Sequence, residues 1–124
     1  MKKKIWFLIF LSVVFDLMSA GVKNIKFENI SINEGLSQSI VKSIVQDKKG
    51  FMYFGTEDGL NIYDAYSFKV LRNSDNPNSL SYNDITSLCE DKYGRLWIGT
   101  FNSGLNFYIP ETKTFLRFSY ESES

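Results

Sequence analysis

LSQSIVKSIVQDKKGFMYFGTED, from Leu36 to Asp58, lies on LSYNDITSLCEDKYGRLWIGTFN, from Leu80 to Asn102, when the chain is shifted by 44 residues. Leu, Ser, Ser, Asp, Lys, Gly, Gly and Thr coincide. One inserted residue at Asn102-Ser103 moves the offset to 45, and GLNIY (Gly59 to Tyr63) then matches GLNFY (Gly104 to Tyr108), giving 12 identities over 28 positions. Average residue usage predicts about two by chance. The chain is therefore internally duplicated, and a duplication constrains the fold before any element is assigned. A shorter segment recurs three times, as KFENI at Lys26, FKVLR at Phe68 and FLRFS at Phe115.

Each unit reads as four short strands. Ile40 to Gln46 is β-branched and apolar. Asp47-Lys48-Lys49-Gly50 then supplies a turn whose Asp accepts from the backbone and whose Gly tolerates positive φ. Phe51 to Thr56 is the second strand, Glu57-Asp58-Gly59 a tight turn and Leu60 to Asp64 the third strand. Ala65-Tyr66-Ser67 leads to the fourth, Phe68 to Leu71. The second unit repeats this order through Asp91-Lys92-Tyr93-Gly94, Leu96 to Thr100, Leu105 to Ile109 and Phe115 to Phe118. No helical period with caps occurs between Val22 and Ser124. Four antiparallel strands recurring every 40 to 50 residues are the pattern of a β-propeller blade. The expected fold is all-β: two four-stranded antiparallel β-propeller blades plus a leading strand around Phe27, an incomplete propeller.

A single blade cannot bury both faces and needs neighbours. Tyr53, Phe54, Trp97 and Ile98, on the central strands, are expected to fill the blade-to-blade core. Gly55 and Gly99 follow them, where a missing side chain would admit an adjacent backbone. Cys89 stands where Val45 stands in the first unit and is expected to be a buried small apolar residue. The polar connection Asn73 to Ser79 carries turn chemistry between the blades.

The N-terminus is a separate object. Lys2, Lys3 and Lys4 precede the apolar run Ile5 to Phe15, followed by Ser19, Ala20 and Gly21, the layout of a secretory signal with cleavage near Ala20 or Gly21. The run is too short to span a bilayer, which takes roughly 20 residues. The expected organisation is a signal peptide over 1–21, a leading outer strand and linker over 22–35, one repeat over 36–79, and a second with a short tail over 80–124. The whole chain carries 14 basic and 14 acidic residues, and loss of the leader leaves 11 against 13, a net of −2. Such a chain offers no basic surface for nucleic acid, and it meets the membrane only through the signal peptide.

The composition also excludes chemistry. There are no histidines, which removes a phosphoacceptor His, Ser-His and Cys-His nucleophiles and His-containing zinc sites. Cys89 is the only cysteine, so no internal disulfide can form. Asp47/Gly50 and Asp91/Gly94 lack the spacing of a calcium loop and read as turns. Glu57, Asp58, Asp64, Glu90 and Asp91 could in principle supply the two carboxylates of a glycoside hydrolase, but their repeat-locked positions point to turns and blade edges. Asn29-Ile30-Ser31 is an isolated glycosylation sequon. Tyr66, Tyr82, Tyr93 and Phe101 occupy loops or strand ends from which an aromatic ring could stack on a sugar. No catalytic, cofactor-binding or metal-binding residue is assigned, no cofactor is expected, and the ligand-binding residues are left open.

QSIVKSIVQDKKGFMYFGTEDGLNIYDAYSFKVL (Gln38 to Leu71) and NDITSLCEDKYGRLWIGTFNSGLNFY (Asn83 to Tyr108) resemble two-component regulator propeller repeats, as do GLSQSIV at Gly35 and NSDNPNSLS at Asn73. The resemblance covers about Lys26 to Phe118. Departures are Tyr53 opposite Trp97, Ala65 where a YDGY-like turn often has Gly, and the Asn102-Ser103 insertion. Such repeats form the periplasmic sensor region of bacterial hybrid sensor histidine kinases, best known from polysaccharide-degrading Bacteroides relatives. The resemblance implies an exported, periplasmic, non-catalytic N-terminal fragment of such a sensor. Its partners would be the remaining propeller blades or other copies of the chain, and its ligand a carbohydrate fragment bound by the full propeller. The alternative is a stand-alone exported interaction module that assembles from several chains. A third repeat would open at about position 127 if the spacing continued.

Overall fold

A computed structural model of the chain describes residues 25–119. The expected signal peptide over 1–21 lies outside the described residues. Eight strands follow one another: β1 (Val41–Gln46), β2 (Met52–Thr56), β3 (Gly59–Tyr63), β4 (Phe68–Leu71), β5 (Ile85–Glu90), β6 (Leu96–Thr100), β7 (Gly104–Ile109) and β8 (Thr114–Phe118). They form two antiparallel meanders, β1-β2-β3-β4 and β5-β6-β7-β8. These are the two four-stranded propeller blades expected from the repeat, with every expected strand limit within one residue of the observed one.

The duplication extends to the pairing register. Val45 pairs with Tyr53, Tyr53 with Ile62 and Ile62 with Lys69; in the second blade Cys89, Trp97, Phe107 and Leu116 form the same row. Both first strands carry a register shift, at Val41/Ser43 and Ile85/Ser87. Because side chains alternate across a strand, each row belongs to one face of its blade.

The Tyr53 face of the first blade packs on the second. Tyr53, Leu60, Leu80, Ile85, Leu96, Ile98, Tyr108 and Phe115 form the buried core, with Val45, Ile62, Leu71 and Leu88 at its margin. Tyr53 meets Tyr108 edge-on across the junction, with ring centroids 6.4 Å apart. Polar links reinforce it: the Leu88 N–H donates to Ser43 Oγ (2.9 Å), Lys48 Nζ to the Lys92 carbonyl (3.0 Å) and the Gly59 N–H to the Asn83 carbonyl (2.9 Å). Arg117 clasps the connector by donating to the carbonyls of Asn76, Ser79 and Leu80.

Four expectations change. The leading strand around Phe27 does not form; residues 25–30 join no strand ladder and Phe27 is 88% exposed. KFENI matches the fourth strand of a blade, whose ladder partner is a third strand, and the described residues hold none for it. What forms instead is a single 3-10 turn, Ile32–Glu34. Ser31 caps it, accepting from the Asn33 N–H while Glu34 accepts from the Ser31 N–H at 2.7 Å. One turn is too short for periodicity, but S-x-x-E is a capping-box spacing. Second, Cys89 is exposed rather than buried. It occupies the row of Val45, but on a face that no described blade covers. Third, Phe54 points away from the junction and packs on Phe68, centroids 5.7 Å apart, while Trp97 lies on the open side of the second blade. Fourth, side chains and not backbone crowd the two strand glycines. A Cβ at Gly55 would lie 2.5 Å from Ile85 Cγ2 across the junction, and one at Gly99 would strike Ser87 Oγ of its own blade.

Candidate ligand-binding surfaces

The meander places the β1–β2, β3–β4, β5–β6 and β7–β8 turns at one end of the blade pair. The β2–β3 and β6–β7 turns and the connector lie at the other. At the turn end, Asp47 accepts from the N–H groups of Lys49 and Phe51 (both 2.9 Å) and from the Tyr53 hydroxyl at 3.1 Å. Asp91 repeats the design with Tyr93 and Arg95 N–H groups at 2.8 and 3.0 Å and the Trp97 indole at 3.0 Å. Gly50 and Gly94 take φ of 93° and 78°, the left-handed region. The expectation that these Asp-Gly pairs are turns therefore holds. Tyr53 and Trp97, chemically different, hang from the same carboxylate position, and this explains why they interchange.

The electrostatics follow the hydrogen bonds. Partial desolvation pushes the Asp91 carboxyl up, but the Trp97 indole, the Arg95 N–H and guanidinium and the Tyr93 N–H override it and hold it well below the usual carboxylate range. Burial first, and then the Asp47 carboxylate, raise the Tyr53 hydroxyl above its ordinary range.

Asp58, Asp64, Glu57 and Glu90 are each held by a different partner. Asp58 grips Arg72 through two bonds of 2.9 and 2.8 Å, which lowers its pKa. Asp64 closes its turn by accepting from the Tyr66 and Ser67 N–H groups. Lys42 bridges Glu57 (2.9 Å) and Asp84 (2.8 Å), which lowers Glu57 and raises the lysine. Glu90 faces the Lys48 N–H at 3.4 Å.

Two regions could receive a ligand. Between the blades at the turn end is a crevice of about 370 Å³, whose walls include Asp47, Lys48, Lys49, Tyr53, Glu90, Tyr93, Arg95, Tyr108 and Glu111. A smaller one of about 220 Å³ adjoins it, shares Asp47, Lys49, Tyr53, Tyr108 and Pro110, and adds Lys69 and Lys113. At the connector end, Glu57, Asn73, Tyr82, Asn83, Asp84 and Phe101 line an open polar depression of about 460 Å³. Of the four aromatics singled out in the sequence, Tyr82 and Phe101 meet in this depression and Tyr93 lines the turn-end crevice. Lys92 and Arg95 lie 4.9 and 5.1 Å from the Tyr93 ring centre. Tyr66, 94% exposed, lines neither.

A buried polar network escapes strand-pattern reasoning. Asn61 is fully buried, accepts from the Ser37 N–H (2.8 Å) and donates to Ser37 Oγ (2.8 Å), which in turn lies 2.9 Å from Thr56 Oγ1. Asn106, Ser81 and Thr100 repeat it at 2.9, 2.8 and 3.1 Å. The signal was present in the duplication: Ser, Thr and Asn recur identically in both copies, and buried polar groups persist where they satisfy one another. The network ties the Leu-Ser segment that opens each repeat to its third strand.

Comparison with known proteins agrees with this architecture. The two component regulator propeller family matches residues 35–58 and 79–102. Over 70 residues the chain is 42% identical to Histidine kinase P4 of Formosa agariphila, a match spanning 53% of this chain and 5% of that protein. The fold is similar to the extracellular domain described as that of the hybrid two component system BT3049 from B. thetaiotaomicron. There the TM-score is 0.69 and the identity 35%, over 77% of this chain and 14% of that one. A corresponding BT4673 domain gives 0.65 and 26%, over 81% of this chain and 14% of that one. The chain thus spans a small part of the length of each of these relatives. The repeats and the blades lead to one reading: the chain carries two stretches that match the two component regulator propeller repeat, folded as blades similar to those of these extracellular domains.

Proposed function

We propose that this chain contributes two blades to an exported, periplasmic propeller sensor of a hybrid two-component system. There it helps to recognise a carbohydrate fragment and carries no catalysis of its own. The observation that carries the reading is the blade pair itself, similar in fold to extracellular domains described as belonging to hybrid two component systems. The triple-lysine, apolar and small-residue leader supports export, and a histidine kinase is among the sequence relatives. The chain has no histidine to accept a phosphoryl group, so phosphorelay falls to a longer parent or a partner. Its direct partners in this reading are further blades.

Expression with its own leader in a Gram-negative host, followed by fractionation and titration with neutral and acidic oligosaccharides, tests the reading. Processing near Ala20, recovery from the periplasm and saturable binding of at least one oligosaccharide are expected. An unprocessed cytoplasmic product, or a folded β-protein that binds none of them, contradicts it.

A second reading, an interaction module assembled from several chains, draws on the open apolar face of the second blade, where Leu105, Leu116 and Phe118 are 41–49% exposed. A defined oligomer in light scattering favours it, and a monomer counts against it.

A further inference from the structure

Three lysines, Lys49, Lys69 and Lys113, converge from the β1–β2 turn, β4 and the β7–β8 turn on the smaller crevice at the blade junction. Phe51, Tyr53, Ile62, Tyr108 and Pro110 supply the apolar part of its wall. None of the three forms an ion pair among the described residues. Asp47, the acid that shares the wall, is already turned to the Lys49 and Phe51 N–H groups and the Tyr53 hydroxyl. Glu111 lines the adjoining larger crevice and not this one. Partial desolvation and then the charge of Lys113 hold Lys69 below the ordinary lysine range, as expected for two cations facing one space.

Blade architecture does not require these charges. Lys49 aligns with Tyr93 in the second repeat and Lys69 with Leu116. Lys113 falls in the turn where the offset rises from 45, at Tyr63 and Tyr108, to 47, at Phe68 and Phe115, so it belongs to a local insertion. It also adopts φ 59°, a left-handed conformation that a lysine tolerates poorly and a glycine would accept. The polar side chains that the blade itself uses, Asp47/Asp91, Ser37/Ser81, Thr56/Thr100 and Asn61/Asn106, repeat between the copies; these lysines do not. Cations placed against the repeat, unpaired, and beside aromatic walls fit a ligand that brings its own negative charge and an apolar ring face.

We propose that the junction crevice binds a small ring-shaped anion carrying a carboxylate or sulfate group, with Lys69 and Lys113 as its principal contacts and Tyr53 and Tyr108 beside its ring. The site deepens the sensor reading by naming a ligand class and a location. It depends on the folded blade pair alone.

The test is calorimetric titration of the purified chain with glucuronate, benzoate and glucose at constant ionic strength, repeated on Lys69→Leu/Lys113→Gly. Leucine is the residue of the other repeat and glycine suits the left-handed turn, so the variant keeps its fold, which its melting curve checks. Saturable binding of glucuronate or benzoate, weakened at least tenfold in the variant, is expected. Glucuronate preference identifies an acidic sugar and benzoate preference an aromatic acid. Equal anion affinity in chain and variant, or no saturable anion binding, overturns the proposal. Glucose binding as tight as glucuronate binding also overturns it, while leaving the carbohydrate-sensor reading standing.

Discussion

The two blades are copies of one repeat with the same register, yet they stand in different surroundings. In the first, the row Val45-Tyr53-Ile62 is roofed by the second blade, and Tyr53 is 4% exposed. In the second, the equivalent row Cys89-Trp97-Phe107-Leu116 faces no described blade: Cys89 is exposed and Leu116 is 49% exposed. Trp97 still packs on Phe107 and Phe118, centroids 5.4 and 5.8 Å away. The difference separates what a blade supplies for itself from what a neighbour supplies. The Asp turn between the first two strands, the register of the central row and the Ser-Thr-Asn network recur in both copies and so belong to the blade. Burial of the central aromatic belongs to the junction.

Truncating the central aromatics gives the largest contrast. Tyr53→Ala removes a ring from a closed core and should cost about 3–4 kcal/mol, whereas Trp97→Ala, on the open face, should cost about 1 kcal/mol. Urea denaturation measures both, and equal losses would break the comparison. Asn61→Ala and Asn106→Ala sharpen it from the other side. Each strands the part-buried N–H of Ser37 or Ser81 and should cost about 1–2 kcal/mol, with little difference between blades, because the network is internal to each.

Acid unfolding bears on the turn carboxylates. Asp91 has a native pKa lowered from its ordinary value, so its stabilising contribution is complete above the unfolded-state value of about 4 and is lost as the pH falls below it. Glu57 and Asp58, also lowered, act in the same window. Melting temperature should therefore drop between pH 5 and about pH 2, and more shallowly in Asp91→Asn. The smallest effect concerns the β3–β4 turn. Ala65 holds φ 75°, and Ala65→Gly should raise stability by about 0.5–1 kcal/mol in the same urea experiment.

Most of the fold was legible in the sequence because the repeat, the Asp-Gly turns and the β-branched runs all pointed to the same eight strands. The parts that were not legible depend on neighbours. Whether Cys89 is buried, which way Phe54 points and whether Phe27 joins a ladder are set by which surfaces are present, and residue type does not record that. Of the candidate surfaces, the aromatics Tyr82, Tyr93 and Phe101 could be singled out from loop position. Lys49, Lys69 and Lys113 could not be grouped, because they are separated by 20 and 44 residues and meet only when one blade closes on the other. Their departure from the repeat at Tyr93 and Leu116 was the one trace available.

The central aromatic positions, Tyr53 and Trp97, stand in the same row of their blades and differ in burial because a blade covers one and no described blade covers the other. With Trp6→Phe, Trp97 is the sole indole, and Tyr53→Trp/Trp97→Tyr moves that indole to the covered position. Acrylamide quenching compares the two directly. Efficient quenching of the indole at position 97 and a severalfold weaker, blue-shifted response at position 53 are expected. Equal quenching and equal emission maxima in two folded proteins would contradict it.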